Sequence, residues 1–333
     1  MLSTKENFLE TIKKDGKPDR VVVQWGPLET VFMIDPCMKY TRGMREKGKT
    51  VIDRWGTTIT WPEDQPAAVP HVTSENKVIK DIENWRNEVK VPDLIANCST
   101  GWEPAQELVQ KIHDEDKLAM GFMGTGMFEQ IHALMGFEDA LMGLLTDPED
   151  MDDLIEAIFN YRCTYAQLLV DNLKIDAICS HDDWGTKTSL FMKPETWREF
   201  FKERYRKFYK IFKDAGIIVI HHADSYCEPI AEDMVDVGID VWQGALYTND
   251  IPAIQKKLGG RMAIMGGIDS GLDLDTTPEE ALRAEVRRAM DEYVPGGNFI
   301  PNLPNGLKNG AIFPRTDQII DDEIRKYRGK FFK

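Results

Sequence analysis

The chain has 333 residues, 42% of them hydrophobic and 29% charged, a composition that buries a sizeable core and excludes default disorder. A net charge of −15 and a pI near 4.9 exclude the clustered cations that phosphate-backbone or anionic-lipid binding requires. Neither nucleic acid nor membrane is therefore an expected partner. The opening residues, Met1 to Asn7, hold no apolar run suited to a signal peptide, and no segment is long enough to span a bilayer. Five cysteines (Cys37, Cys98, Cys163, Cys179 and Cys227) are odd in number and scattered, which fits reduced thiols and a cytoplasmic location.

In chain order, residues 20–25 predict a first strand. Residues 54–91, rich in Thr, Trp and Pro, predict hairpins and irregular structure inserted on the main fold. Residues 117–122 predict a second strand, followed by a glycine-rich turn through Gly121, Gly124 and Gly126. From residue 146 the pattern becomes regular. A helix over 147–172 opens on Asp147-Pro148-Glu149-Asp150, an acidic start with proline in the first turn. Short apolar strands at 176–179, 216–220, 239–242, 262–265 and 299–300 then alternate with helices at 194–213, 228–237, 251–258, 277–293 and 316–327. Such alternation implies a parallel sheet buried on both faces.

No Gly-x-Gly-x-x-Gly follows the first strand, so a doubly wound dinucleotide fold is disfavoured. The expectation is α/β, a TIM (β/α)8-type barrel with an irregular N-terminal excursion. It is one domain over 1–333, with 54–91 as the inserted segment.

In such a barrel the working residues follow the C-terminal ends of strands. Those positions hold Gln24-Trp25-Gly26-Pro27, the turn from Gly121 to Met127, and His181-Asp182-Asp183-Trp184-Gly185. They also hold His221-His222-Ala223-Asp224, Gln243-Gly244, Gly266-Gly267-Ile268-Asp269 and Pro301-Asn302. Three of the six histidines fall in this set, with four aspartates. His222 and Asp224 lie two apart beyond an apolar strand, so both can face one mouth. Imidazole nitrogen and carboxylate oxygen are zinc ligands, and a catalytic zinc keeps one position open. The plainer alternative is that a histidine bonds a neighbouring strand end and Asp224 caps the next helix. Of Asp182 and Asp183, one is expected to serve chemistry and the other to cap or pair a charge. Trp25, Met123, Asp182, Trp184, His221, Gln243, Asp269 and Asn302 are candidate substrate contacts, with core packing, capping or turn formation as their alternatives. No Gly-x-Ser-x-Gly, phosphate loop or Cys-x-x-Cys is present, so serine nucleophile chemistry and disulfide exchange lack support.

Several of these segments form a family pattern. Lys17-Pro18-Asp19-Arg20-Val21, Asp53-Arg54-Trp55-Gly56-Thr57, Asp182-Asp183-Trp184-Gly185 and Pro194-Glu195 are followed by His222-Ala223-Asp224, Val237-Gly238-Ile239-Asp240 and Gly266-Gly267-Ile268-Asp269. Together they resemble the uroporphyrinogen decarboxylase-like superfamily, and within it the corrinoid-dependent methyltransferase branch. That branch includes O-demethylase components and methylcobalamin:coenzyme M methyltransferases. Uroporphyrinogen decarboxylases carry an arginine-rich Arg-Gln-Ala-Gly-Arg segment after the first strand, where this chain has Val23-Gln24-Trp25-Gly26-Pro27 without a cation. A polycarboxylated tetrapyrrole would there leave its charges unpaired.

The resemblance implies a methyltransferase moving a methyl group from a small methylated donor, an aryl methyl ether, to the Co(I) corrinoid of a partner protein in anaerobic one-carbon metabolism. It implies a zinc held by His222 and Asp224 with an unidentified third ligand, the branch's sulfur ligand being replaced by oxygen. Catalytic roles then fall to Asp183, His222 and Asp224. A decarboxylase of a small carboxylated substrate and a non-catalytic small-molecule-binding barrel are the alternatives. The sequence sets no oligomeric state, and a homodimer is an open expectation.

Overall fold

The computed structural model describes residues 1–65, 67–305 and 311–332. Ten strands are present among them: β1 (Leu28–Val31), β2 (Thr50–Ile52), β3 (Thr58–Thr60), β4 (Val69–Pro70), β5 (Leu118–Met123), β6 (Ala177–His181), β7 (Ile218–His222), β8 (Val241–Ala245), β9 (Ala263–Gly267) and β10 (Phe299–Asn302). Seven of them form one wholly parallel sheet in the order β1-β5-β6-β7-β8-β9-β10. Neighbours in space from β5 onward follow chain order, so the sheet has no switch point and curls as a barrel does. Every residue of β5, β8, β9 and β10 is buried, which is why these strands read as unbroken apolar runs rather than as alternation.

The first strand differs from expectation. Residues 21–23 are a buried extended run outside the ladder, Gln24 adopts a left-handed φ of 39°, and the first paired strand is β1, a few residues later. The physical reason is the turn at 24–27, where Gly26 N donates to Val23 O and Leu28 N to Trp25 O. Backbone spent on a turn is not free for a ladder. The Gln24 side chain compensates, accepting from Asn302 Nδ2 and Leu303 N at 3.1 Å and so tying this run to β10.

The expected insertion contains a small antiparallel sheet, β2-β3-β4, which begins slightly before residue 54; Pro66 lies outside the described residues. In the second half the helices fall close to the expected ranges: Pro148–Asn172, Ile251–Leu258, Glu279–Tyr293 and Pro314–Tyr327. The expected helix at 194–213 is one helical run interrupted by a π turn at Arg198–Lys202. This turn shifts the helix face so that Trp197, Phe201, Tyr205 and Tyr209 all face the core, each fully buried. All five cysteines are free thiols, and no described helix is long and apolar enough to cross a membrane.

Candidate active site at the strand ends

The site follows from strand register. His181 ends β6 and His222 ends β7, and the two are direct partners in the parallel ladder. Side chains opposite one another in register leave the sheet on the same face. The two imidazoles accordingly stack, with centroids 4.3 Å apart and planes 17° apart.

The alternation of a strand sends His221 the other way. Its Nδ1 meets Tyr209 Oη at 2.6 Å, its Nε2 meets the Asp182 carbonyl at 3.2 Å, and its ring stacks on Trp184. Asp182 and Asp183 separate by the same rule. Asp182 is fully buried and caps the helix Met127–Met135, its oxygens accepting from Phe128 N (3.1 Å) and Glu129 N (2.9 Å) and from Trp184 Nε1 and Tyr205 Oη. Gly126 makes room for this cap, since a Cβ there would fall 2.0 Å from the Asp182 side chain. Asp183 instead turns inward and accepts from the Asp224 amide at 3.0 Å.

His181, Asp183 and His222 each bring one ligand atom within 4.8 Å of the others. The outer partners fix which atoms these are. Gln243 Nε2 donates to Asn302 Oδ1 and the Pro304 carbonyl, so Gln243 Oε1 faces His222 Nδ1. That nitrogen must carry the proton, and Nε2 is left as the lone-pair donor. His181 Nδ1 is held by Glu129 Oε2 at 2.9 Å, so its Nε2 is likewise the free nitrogen. Two imidazoles locked by acceptors behind them, with a carboxylate beside them, fit a zinc ion in donor type and in supporting shell.

The electrostatics of the cluster are strongly shaped by burial. Burial opposes a charged His181, yet the Glu129 carboxylate more than offsets it and holds its pKa up to about 10. Burial likewise works against Glu129, and the charge of His181 brings it down to about 2. Burial, then the positive His181, pushes His222 down to about 4, so it is neutral at pH 7. Burial raises Asp183 to about 6, and burial with the neighbouring Asp183 does the same to Asp224. To hold a metal through Nε2, His181 would have to give up the proton on that nitrogen.

His181, His222 and Asp224 line a cleft of about 720 Å³ at the strand ends. Its apolar wall includes Phe32, Phe122, Ile59 and Val69, the last two supplied by the small inserted sheet. Arg42 and Arg45 line it as well.

Of the residues expected to carry chemistry, Asp183 and His222 fall in the candidate ligand group, with His181 as its third member. Asp224, expected as a ligand with His222, lies outside that group, on the cleft wall with its amide donating to Asp183. The structure places the expected substrate contacts away from the described cleft wall. Trp25, Met123, Trp184 and His221 are buried packing residues, and Asp182 is a helix cap. Gln243 and Asn302 are buried in the support behind His222. Asp269 caps its own turn by accepting from Gly271 N at 2.8 Å. None of these eight is on the described cleft wall. Sequence reasoning gave no role to His181, Glu129, Arg42 or Arg45. Glu129 did leave a signal, since it stands at the third helical position after Gly126, where a glutamate closes back on the helix start.

A parallel barrel with a histidine and carboxylate cluster at its strand ends defines a (β/α)-barrel enzyme scaffold. The chain belongs to the uroporphyrinogen decarboxylase (URO-D) family, whose model matches residues 50–316. It is 22% identical over 271 residues to a uroporphyrinogen decarboxylase of Legionella pneumophila, covering 78% of this chain and 70% of that one. It is 25% identical over 159 residues to a methylcobamide:CoM methyltransferase of Methanosarcina barkeri, covering 46% of this chain and 44% of that one. Among solved structures it is similar to a methyltransferase from Methanosarcina mazei, with a TM-score of 0.69 at 17% identity over 98% of this chain and 99% of that one.

Proposed function

We propose that this protein is a methyltransferase that moves a methyl group from a small methylated donor, an aryl methyl ether, to the Co(I) corrinoid of a partner protein. The observation that carries the reading is the His181–Asp183–His222 cluster, two of whose members, His181 and His222, line an open cleft. The resemblance of the chain to methyltransferases supports it.

A zinc held by His181, Asp183 and His222 would supply a Lewis acid to polarise the ether oxygen. Glu129 and Gln243 orient the two imidazoles through their Nδ1 atoms. Phe32, Phe122, Ile59 and Val69 provide an apolar wall for an aromatic ring and exclude water from it. As the methyl carbon passes to the cobalt of the acceptor, the C–O bond breaks and its electron pair stays on oxygen. Asp224, on the cleft wall and raised to about 6, donates the proton that the departing oxygen takes up. A corrinoid is too large for a closed pocket, and the cleft is open at its mouth.

The test is single-turnover methylation of Co(I) corrinoid protein by zinc-loaded enzyme across a panel of methoxyarenes. Conversion of the Co(I) spectrum to the methylated form, lost in His222→Ala, supports the reading. No conversion with any donor overturns it. The similarity to uroporphyrinogen decarboxylase over 78% of the chain supports a second reading, a decarboxylase of a small carboxylate, which carbon dioxide release without corrinoid selects.

A further inference from the structure

The chain has 56 acidic residues against 41 Lys and Arg, so arginines here find carboxylates easily. Arg283, Arg287 and Arg288 each contact more than one. Arg42 and Arg45 do not. Arg42 ends the helix Pro36–Arg42 and Arg45 follows three residues later, and the Nε atoms of both are buried without a hydrogen-bond partner. Neither guanidinium makes a hydrogen bond or ion pair with any described residue.

The nearby acids are already engaged. Asp53 Oδ1 accepts from the Trp55 and Thr57 amides at 2.9 and 3.0 Å and makes no ion pair with either arginine. Glu129 is bound to His181. A third cation stands behind them: Arg162 donates to the Thr125 carbonyl and to Ser180 Oγ, and its own Nε is also unpartnered. Arg42 lies against the turn after β5, where a Cβ on Gly124 would be 2.7 Å from its Nη1. Arg42, Arg45, Asp53, Gly124, Thr125 and Arg162 share a small recess of about 40 Å³, and all but Arg162 also line the main cleft.

We propose that Arg42 and Arg45 form an oxyanion-binding subsite, so that the ligand of the cleft carries a carboxylate or sulfonate as well as its reacting group. Guanidinium forks pair with such groups through two parallel charge-assisted hydrogen bonds. Burial disfavours both cations, Asp53 acts on them only at a distance, and an incoming oxyanion would supply the hydrogen-bonded partner that neither has. The apolar wall beside them suits an aromatic or aliphatic body between the two ends. This inference rests on the cleft being the ligand site, but not on methyl transfer.

The experiment is calorimetric titration of the zinc-loaded protein with 4-methoxybenzoate, 4-methoxybenzenesulfonate and neutral 4-methoxybenzamide. The acids are expected to bind at least about tenfold tighter than the amide. Arg45→Gln and Arg42→Gln, each checked for an unchanged melting transition, are expected to bring that preference close to unity. Arg45→Gln decides if Arg42→Gln fails to fold. Tighter binding of the benzoate marks a planar carboxylate ligand, and of the sulfonate a tetrahedral oxyanion. Equal binding of acid and amide, no saturable binding of either acid below ~1 mM, or a preference that survives in a folded Arg45→Gln protein overturns the proposal. Binding without turnover leaves the subsite standing and removes only the methyl-transfer reading.

Discussion

His181 and His222 stand opposite one another on adjacent parallel strands, and their rings stack 4.3 Å apart. One is held charged by Glu129, and the other is kept neutral by burial and by its charged neighbour. Stacking a cation on a second imidazole has a cost that a zinc held by His181 and His222 would remove.

The support behind each ring is therefore expected to matter. Gln243→Ala and Glu129→Gln should each weaken zinc affinity about 10–100-fold while leaving the cleft wall intact. Competition with a chelator of known affinity reads this out. Unchanged affinity in both variants would show that the outer partners do not orient the ligands.

Asp182 and Asp183 should part company on mutation. Asp182→Ala removes a cap and leaves the buried Tyr205 hydroxyl and Trp184 indole without their acceptor, a loss of about 3 kcal/mol in denaturant unfolding. Asp183→Asn should keep that stability and lose zinc. The reverse assignment of effects would contradict the alternation of faces described here.

Away from the site, Asp233 ties the helix Ala231–Asp236 to the run that begins at Pro194. It accepts from Arg198 Nη2 at 2.9 Å and from Lys202 Nζ at 2.7 Å. Burial raises its pKa, but these hydrogen bonds outweigh it and leave the carboxyl below its ordinary 3.8. A depressed carboxylate contributes stability above its unfolded pKa, and that contribution is lost as pH falls through the folded value. Asp233→Asn should thus cost about 1–2 kcal/mol at pH 7, the lower range reflecting the partly exposed Arg198. Melts of the two proteins should converge as pH falls below the ordinary carboxylate range. A gap that is constant with pH would reject this account.

The second half of the fold was legible because each strand there is an apolar run between amphipathic helices, a pattern that burial on both sheet faces imposes. The first strand was not, since Val21, Val22 and Val23 are as apolar as a strand, and the turn at 24–27 with its left-handed Gln24 follows them before the ladder begins at Leu28. At the site, the strand-end position of His222, Asp224 and Asp183 was visible in the chain. The partnership of His181 with His222 was not, because 41 residues of sequence separate them and only ladder register joins them. Arg42 and Arg45 were invisible for a related reason. Their significance is the lack of a partner, and a sequence does not show which charges go unpaired.

Elemental analysis of the purified protein, repeated on His181→Ala and His222→Ala, tests the centre of this account most directly. The account predicts about one zinc per chain in the wild type and a large loss in each variant, with both variants still folded. Zinc retained in the variants, or a wild-type protein that takes up none when zinc is supplied, would contradict it.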